Sequence, residues 1–342
     1  MYSLLYNDCE RKDNYFLLNQ KITNTKLARV TVSFDANKAL THTLKFTKLI
    51  ERIVLLKYKI SEEVINMGND PFYGFVAREN ELSPNKLFYR NDSRGAWLYQ
   101  ANCLDFMDQL IEKFPNGKFD MIFADPPYFL SNGGITCHAG RMVKVDKGDW
   151  DKSQGAEMNH EFNYEWLKRC QKLLNPNGAI WISGTHHVIH SIGYAMQQLG
   201  MKMLNDITWE KPNPPPNLSC RFFTHSTETI IWAAKNEKSK HLFNYPAMRA
   251  ENGGKQMKSV WRFTSPSNDE KRFGKHPTQK PVKLLERCIL ASTNEGALIL
   301  DPFSGSSSTG VAAVKNNRKF VGIELNSEYL ELSKKRLEAL ND

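Results

Sequence analysis

Residues 299–310 have the sequence ILDPFSGSSSTG, in which an apolar run is followed by small residues and then by a helical pattern. Small residues let the backbone approach a ligand closely at the carboxyl edge of a sheet, where open α/β folds bind their ligands. The stretch therefore predicts a β-strand, a ligand-binding loop and an α-helix. About twenty residues further on, Glu324 ends the next predicted strand, where a carboxylate can accept hydrogen bonds from a ribose.

This loop lacks the common phosphate-binding patterns. It contains neither G-x-G-x-x-G nor G-K-[ST], with which glycine-rich loops hold phosphates. We therefore expect its ligand to be a nucleoside without a triphosphate. A tight turn between strand and helix, with no ligand, is the structural alternative for this loop taken alone.

A second stretch, residues 121–128, has the sequence MIFADPPY and follows the pattern of a buried strand. Two consecutive prolines fix φ and supply no N–H, so the backbone leaves the strand rigidly and with unclaimed carbonyl oxygens. An amino group on a heteroaromatic ring needs two acceptors, which Asp125 and the carbonyl of Pro126 can supply. Tyr128 can stack on the same ring. A strand-ending turn with a core tyrosine is the structural alternative.

Strand-like runs alternate with amphipathic runs from residue 96 onward, which is typical of β-α units around a parallel sheet. The predicted fold class is α/β, with a doubly wound, mostly parallel, Rossmann-like sheet. The predicted strands are 96–101, 119–124, 179–183, 206–210, 229–233, 297–300 and 320–323. The predicted helices are 104–113, 161–174, 187–199, 281–292, 308–317 and 327–340.

Two segments depart from this alternation. Residues 1–95 contain an amphipathic pattern at 44–59 but no recognisable chemistry, so we interpret them as an N-terminal appendage of unknown role. Residues 236–273 are rich in Lys, Arg and aromatic residues and form a predicted insert. The remaining residues, 96–235 and 274–342, form the predicted catalytic domain.

The chain has 342 residues, with 46 Lys and Arg against 37 Asp and Glu, and a formal net charge of +9. This excess favours a polyanionic partner such as a nucleic acid. No apolar run approaches the ~18–20 residues that a membrane span needs, and the first residues do not resemble a signal peptide. We therefore expect a cytoplasmic protein with no membrane partner.

Cysteine and histidine spacing gives no sign of a metal centre. The six cysteines form no C-x-x-C pair, which indicates reduced thiols and disfavours a zinc ribbon or a disulfide framework. His186, His187 and His190 have the i, i+4 spacing of a metal pair but lack the accompanying Glu or Cys ligands. The sequence thus predicts no metal site.

Together, the two quoted stretches resemble the S-adenosylmethionine-dependent amino-methyltransferases of DNA, in which D-P-P-Y holds the target amino group and a D-P-F-x-G-x-G loop holds the cofactor. Because D-P-P-Y comes first, the order is similar to that of the beta class of adenine-N6 methyltransferases. The resemblance covers roughly residues 96–340. It extends to three further segments, which are residues 177–183 (NGAIWIS), 209–213 (WEKPN) and 275–281 (KHPTQKP).

Within that class, residues 123–134 with 145–152, and residues 217–228, are most similar to a subgroup that accompanies endonucleases cutting GATC or AAGCTT. The residues do not distinguish these two target sites. The resemblance also implies a functional pairing with a restriction endonuclease in a bacterial cytoplasm, and a homodimer is an open option.

The resemblance implies a role for each matching residue. The positions of the catalytic motif are Asp125, Pro126, Pro127 and Tyr128. The positions that match cofactor contacts are Asn102, Cys103, Thr278, Lys280, Asp301, Phe303, Gly305, Ser307 and Glu324.

Within that set, Glu324 matches the ribose acceptor, while Thr278 and Lys280 match contacts to the methionine end of the cofactor. Two residues depart from the family pattern. Ser307 replaces the second glycine of the loop, and Asn102 replaces an aspartate that contacts the cofactor's adenine. Neither departure removes a reacting group.

An enzyme of this kind needs a segment that contacts DNA. We expect residues 236–273 to be the target-recognition insert, because their basic side chains can meet phosphates. The candidate contacts are Lys255, Lys258 and Arg262, together with Arg141 from the segment 129–160. A solvated basic loop is the structural alternative, and the N-terminal appendage is a rival DNA-contacting segment.

The resemblance implies a site-specific DNA adenine-N6 methyltransferase that acts on a flipped-out adenine and protects host DNA in a restriction-modification system. Other acceptors on the same fold are cytosine N4, RNA adenine or a protein glutamine amide, and Asp125 before P-P-Y favours adenine over these. A catalytically inactive nucleic-acid-binding protein is the alternative of another class. Only Ser307 and Asn102 support it.

Overall fold

The computed structural model describes residues 11–12, 15–18, 30–33, 85–130, 135–138, 141–144 and 151–340. The chain divides into two units, residues 1–74 and 75–342. The described part of the first unit is an antiparallel sheet in sequence order, with strands β1 (Arg11–Lys12), β2 (Tyr15–Leu18) and β3 (Val30–Ser33). The helix predicted at 44–59 lies outside the described residues.

The second unit is built on a nine-stranded sheet. Its strands are β4 (Lys86–Asn91), β5 (Ala96–Gln100), β6 (Phe119–Ala124), β9 (Leu174–Gly184), β10 (Lys202–Glu210), β11 (Thr227–Ala234), β12 (Val260–Arg262), β13 (Leu298–Asp301) and β14 (Lys319–Glu324). A separate hairpin consists of β7 (Ile135–His138) and β8 (Arg141–Lys144).

Helices connect these strands. In the part of the unit that the structure describes they are α1 (Cys103–Lys113), α2 (Ala156–Leu173), α3 (Ile189–Gln198), α4 (Tyr245–Glu251), α5 (Val282–Ser292), α6 (Ser308–Lys315) and α7 (Ser327–Glu338).

The sheet order is β12-β10-β11-β9-β6-β13-β14-β5-β4. The five strands from β9 to β5 pair in parallel, whereas β4 and β11 are antiparallel to their neighbours. The continuous apolar runs of β6 and β13 are buried, as expected for parallel strands covered on both faces. This architecture confirms the predicted mostly parallel α/β class.

The two faces of the sheet carry different helices. Met121 and Phe123 of β6 belong to the same core cluster as Leu284 and Leu285 of α5. On another strand, the ring of Tyr99 lies 4.5 Å from that of Phe106 on α1. Because side chains alternate along a strand, these contacts place helices on both faces of the sheet, which is the doubly wound arrangement.

The sheet extends beyond the predicted boundaries at both edges. β4 pairs with β5 across the turn at 92–95, so the predicted boundary at residue 95 falls inside a hairpin. Residues 236–273 also contribute to the domain, because β12 pairs in parallel with β10 and α4 packs against α5. Buried Met248 and Trp261 join these elements to the core. The predicted insert is therefore partly an edge of the sheet itself.

Candidate active site

The ends of two neighbouring strands bring the quoted stretches together. β6 ends at Ala124 and β13 ends at Asp301, and the strands are parallel with Ile299 opposite Met121 and Leu300 opposite Ile122. The carboxyl ends of parallel neighbours lie at one edge of a sheet. Residues 125–128 and the loop after Asp301 therefore meet there, although they lie far apart in the sequence.

Asp125 stands at the centre of this edge. Its Oδ1 accepts a hydrogen bond of 2.7 Å from the Tyr128 hydroxyl, and its Oδ2 accepts one of 2.5 Å from Lys280 Nζ. Burial raises the pKa of the Asp125 carboxyl, and the Lys280 ammonium opposes that rise. The site thus holds a buried carboxylate between a hydroxyl and an ammonium group.

Glu228, on the antiparallel strand β11, supplies a second carboxylate. Its Oε2 lies 3.7 Å from Lys280 Nζ and 3.4 Å from the Tyr128 hydroxyl, and its Oε1 binds Lys211. Burial by itself lowers the pKa of Lys280, but Asp125 and Glu228 outweigh burial and raise it above its ordinary value. Two carboxylates therefore share two ammonium groups beside the motif.

Asp151 fixes the backbone just after the motif. Its carboxylate accepts three backbone N–H bonds, from Tyr128 at 2.9 Å, Phe129 at 2.8 Å and Leu130 at 3.1 Å. Phe129 has a φ of 57°, in the left-handed region that non-glycine residues seldom adopt. Buried Asp151 stabilises this strained turn because its carboxylate accepts the backbone N–H groups of the residues that follow the strand.

The side chain of Tyr128 is buried along with the network that it joins. Burial raises its pKa, and the nearby carboxylates raise it further. The hydroxyl therefore stays protonated and donates a hydrogen bond to Asp125. Ser183 Oγ lies 3.4 Å from the same hydroxyl.

The loop after β13 is held by Asp301. Its Oδ1 accepts the Phe303 N–H at 3.0 Å, and its Oδ2 accepts the Thr309 hydroxyl at 2.6 Å. Burial raises the pKa of Asp301 to about 7. These two bonds tie both ends of the loop to the strand.

Gly305 lies where the backbone of this loop comes close to the His276 ring. Its φ is +50°, and a Cβ there would lie 3.1 Å from the imidazole ring of His276. Its N–H donates a 2.9 Å hydrogen bond to Glu324 Oε2, while the Asn326 N–H donates one of 2.8 Å to Oε1. Burial raises the pKa of Glu324. Glu324 therefore links the loop to the end of β14.

A cavity of about 490 Å³ opens at this edge. Its volume lies in the ~300–1,000 Å³ range of small-molecule sites. The predicted cofactor residues that line it are Asn102, Cys103, Thr278, Phe303, Gly305 and Glu324. Asp125 and Pro127 line the same cavity, so the catalytic motif and the carboxylate at the end of β14 face one space.

Three other predicted cofactor residues lie outside that lining. Asp301 and Lys280 line a small space of about 30 Å³ that shares Asp125 with the large cavity. Ser307 is fully buried, with a φ of 53° and its hydroxyl 2.7 Å from Ser304 Oγ. The contacts of Ser307 therefore stabilise the loop from within.

Asn102 and Cys103 lie where β5 passes into α1. The Asn102 side chain accepts the Leu104 N–H at 2.9 Å and so caps the helix. Burial raises the pKa of Cys103 to about 12, which makes it a neutral thiol. Cys103 is consequently unsuited to act as a nucleophile near neutral pH.

The predicted DNA contacts lie at separate places. Arg262 ends β12 opposite Glu210, the last residue of β10, and its guanidinium lies 3.6 Å from that carboxylate. Lys255 and Lys258 are exposed residues that precede β12. Arg141 begins β8 of the hairpin.

Sequence reasoning missed several residues of the site, namely Asp151, Ser183, Lys211 and Glu228. None of them lies in the two quoted stretches, and each reaches the site through pairing or loop closure. One available signal was the segment WEKPN, which contains Lys211, and the polar Glu228 just before an apolar strand was another. The sequence analysis also did not predict a second cavity, which is lined by His186, His187 and residues 222–227.

No metal-binding cluster of His, Cys, Asp or Glu occurs among the residues that the structure describes. Nor does any described helix have the length and apolar character to cross a membrane.

Comparison with known proteins identifies relatives. A family model described as DNA methylase matches residues 119–335. The type II methyltransferase M2.DpnII of Streptococcus pneumoniae is 57% identical over 235 residues, which are 68% of this chain and 88% of that protein. M2.MboI of Moraxella bovis is 51% identical over 251 residues, 73% and 90% of the two chains.

Two solved structures are also similar. The complex of M1.HpyAVI with SAM has 31% identity and a TM-score of 0.55, covering 71% of this chain and 98% of that one. The cytosine-N4-specific PvuII DNA methyltransferase has 20% identity and a TM-score of 0.55, over 71% and 86%, and shows only that the fold is shared. On the family match and the identity to its relatives, this chain belongs to the DNA methylase family.

Proposed function

We propose that the chain is a site-specific DNA methyltransferase that transfers a methyl group from S-adenosylmethionine to the N6 amino group of an adenine. The observation that carries this proposal is the shared cavity, in which Asp125 and Glu324 line one space at the carboxyl edge of the sheet. A nucleoside at Glu324 and an amino group at Asp125 are thereby brought into one site.

The residues of the cavity fit this cofactor. Glu324 offers carboxylate oxygens for ribose hydroxyls, and Gly305 leaves room where a side chain would meet His276. Phe303 gives the wall an aromatic surface, and it rests against Trp166 at 5.4 Å between ring centroids. Asn102 and Cys103 complete the wall near the start of α1. S-adenosylmethionine supplies a methyl group on a positively charged sulfur.

Asp125 acts on the acceptor. Its carboxylate accepts a hydrogen bond from the adenine amino group, and the Pro126 carbonyl accepts the second one. These bonds direct the nitrogen lone pair out of the ring plane, towards the methyl group. The negative charge of Asp125 then stabilises the positive charge that develops on nitrogen, and the proton that the nitrogen loses passes to the Asp125 carboxylate. No covalent intermediate with the protein is required.

The amino group of a paired adenine lies inside the duplex, so the target base must leave the stack before it reaches Asp125. Extrusion costs a few kcal/mol of pairing and stacking. The aromatic ring of Tyr128 offsets part of that cost by stacking on the base. The basic residues Lys255, Lys258 and Arg262 hold the DNA backbone.

The relatives named type II methyltransferases support a place in a restriction-modification system, where methylation protects host DNA. A paired endonuclease and a cytoplasmic location belong to this proposal. So does the division into appendage, catalytic domain and insert, with β4 and β12 counted in the sheet of the catalytic domain.

The test uses purified full-length protein, tritiated S-adenosylmethionine and unmethylated bacterial DNA. Label should enter the DNA, and digestion to nucleosides should place it in N6-methyladenine. Label in N4-methylcytosine would replace the adenine assignment. Binding of cofactor and DNA without incorporation would favour the inactive nucleic-acid-binding protein.

A further inference from the structure

The position that should receive the adenine amino group is already taken by a residue of the chain. Lys280 Nζ lies 2.5 Å from Asp125 Oδ2, and the Tyr128 hydroxyl lies 2.7 Å from Oδ1. The Lys280 and Asp125 side chains are 6% and 14% exposed. An entering amino group must therefore compete with a buried ammonium that makes the same kind of hydrogen bond.

A second acceptor for that ammonium lies close by. Glu228 Oε2 is 3.7 Å from Lys280 Nζ, just beyond the ~2.7–3.2 Å of a direct N–H···O bond. The other oxygen of Glu228 is held by Lys211. A shift of about 1 Å would place Lys280 in hydrogen-bonding distance of Glu228.

We propose that Lys280 is a placeholder that occupies Asp125 in the free protein and moves to Glu228 when the target base enters. This inference rests on the proposed function, since it assigns Asp125 to the amino group of a base. Lys280 and Glu228 are then positioning residues, and Asp125 remains the residue that touches the acceptor.

Charge explains why both residues are needed. Without Lys280, Asp125 and Glu228 would be two buried carboxylates facing each other across the Tyr128 hydroxyl, an arrangement that disfavours ionisation of either one. The ammonium keeps Asp125 ionised until the base arrives. If it stayed there during methyl transfer, it would oppose the positive charge developing on the amino nitrogen. Glu228 gives it a charged partner elsewhere, so that no buried charge is left unpaired.

The first test is Glu228→Gln, which keeps the shape of the side chain but removes its charge. We expect kcat on unmethylated bacterial DNA to fall about 10- to 100-fold, the effect of losing a hydrogen bond to a charged group. Cofactor affinity, measured by calorimetry, should stay within about twofold, because Glu228 does not line the large cavity. The matched control is Glu286→Gln, which removes a carboxylate of α5 that pairs with Lys315 at the end of α6.

The decisive test is the double variant Glu228→Gln with Lys280→Met, assayed beside both single variants at alkaline pH to keep Asp125 ionised. If Glu228 acts by receiving Lys280, Glu228→Gln should have no further effect once Lys280 is gone. Losses that multiply would show that the two residues act independently and would overturn the proposal.

A conservative variant keeps the proposal testable if Lys280→Met fails to fold. Glu228→Asp retains the charge and should recover at least about tenfold of the kcat lost in Glu228→Gln. Equal kcat in the Asp and Gln variants, or wild-type kcat in Glu228→Gln, would overturn the placeholder. Absence of methyl transfer by the wild-type protein would instead contradict the proposed function itself.

Discussion

Asp125 is the single residue on which the proposed chemistry depends. We expect Asp125→Asn to lower kcat by about 10²–10³-fold or more, because the amide cannot stabilise positive charge on the acceptor nitrogen. Cofactor affinity should change little. Tritium incorporation and calorimetry on the same preparations measure both quantities. Asp108→Asn, which removes an exposed partner of Arg169, is the matched control, and wild-type turnover in Asp125→Asn would refute the assignment.

Glu324 belongs to the other half of the site. We expect Glu324→Ala to weaken S-adenosylmethionine binding by about 1.5–3 kcal/mol, the contribution of a hydrogen bond to a charged group. Glu324→Gln should lose less, since its amide oxygen can still accept the Gly305 N–H. Calorimetry decides the matter: an unchanged dissociation constant in Glu324→Ala would place the ribose elsewhere.

Asp301 gives the folded protein a pH dependence of defined sign. Its pKa is about 7 in the folded state against an ordinary 3.8, so the folded chain retains a proton that the unfolded chain has released. The contribution of protonated Asp301 to the free energy of unfolding is fully present below pH 3.8 and is lost as the pH rises through about 7. Asp125 and Glu324 are shifted in the same direction.

The free energy of unfolding of the wild-type protein should therefore fall between pH 5 and pH 8. In Asp301→Asn this fall should be smaller, by up to about a few kcal/mol. Urea titrations of both proteins at the two pH values provide the measurement. Parallel pH dependences in the two proteins would mean that Asp301 is ionised in the folded state.

At the scale of elements, helix α6 packs closely against β14 because Gly310 has no side chain. A Cβ on Gly310 would lie 2.5 Å from the Phe320 ring, whereas a Cβ on Gly193 of α3 would meet only Ile231 Cδ1 at 3.8 Å. We expect Gly310→Ala to lower the free energy of unfolding by about 1–3 kcal/mol through overpacking. Gly193→Ala should raise it by up to about 1 kcal/mol, the difference in helix propensity. Denaturant unfolding measures both variants. Equal effects of Gly310→Ala and Gly193→Ala would contradict the close packing of α6 against Phe320.

The sequence predicted most long elements because their patterns are local. Strand β6 was placed at its exact bounds of 119–124, and helix α5 to within one residue. The three-residue strand β12 and the short helix α4 were missed, since neither is long enough to show a period. β4 was assigned to the appendage although the residues that join it to β5, 91–95 (NDSRG), are typical of a turn.

The site was predictable where it lies in the two motifs, and the resemblance added lining residues outside them, such as Thr278 and Glu324. Asp125 and the loop of Gly305 follow buried strands, so their place at the sheet edge follows from the pattern. Glu228 enters from an antiparallel strand and Asp151 from the segment before α2. A polar residue just before an apolar strand marks the position of Glu228, but no local pattern indicates the contacts of either residue. The Tyr128 hydroxyl was likewise missed, because the motif suggested a role only for the ring.

At the scale of the whole molecule, the net charge of +9 favours DNA binding, and the question is which basic residues contact the phosphates. We expect changing Lys255, Lys258 and Arg262 together to Gln to weaken DNA binding and flatten its salt dependence. Each phosphate contact contributes about 0.9 to the slope of log K against log salt, so the slope should fall by up to about 2.7. Filter binding over a salt series measures the slope.

The control for this experiment removes the same charge elsewhere, by changing Lys315, Lys319 and Lys335 to Gln. All three are exposed, and Lys315 and Lys319 lie at the sheet edge opposite the cavity. The control slope should stay near that of the wild type. If both triple variants keep the wild-type slope, the DNA-contacting role passes to the β7–β8 hairpin or to residues 1–74.

The sheet order also governs when the site can form during synthesis. β13 and β14 lie between β6 and β5 in the sheet but follow β6 by more than 170 residues in the chain. At about 5–20 residues per second, a ribosome needs roughly 10 to 35 seconds to reach them. Throughout that interval the nascent chain carries β5 and β6 without the strands that join them. A message truncated between the codons for residues 128 and 298 therefore yields a protein with the catalytic motif but no cofactor loop.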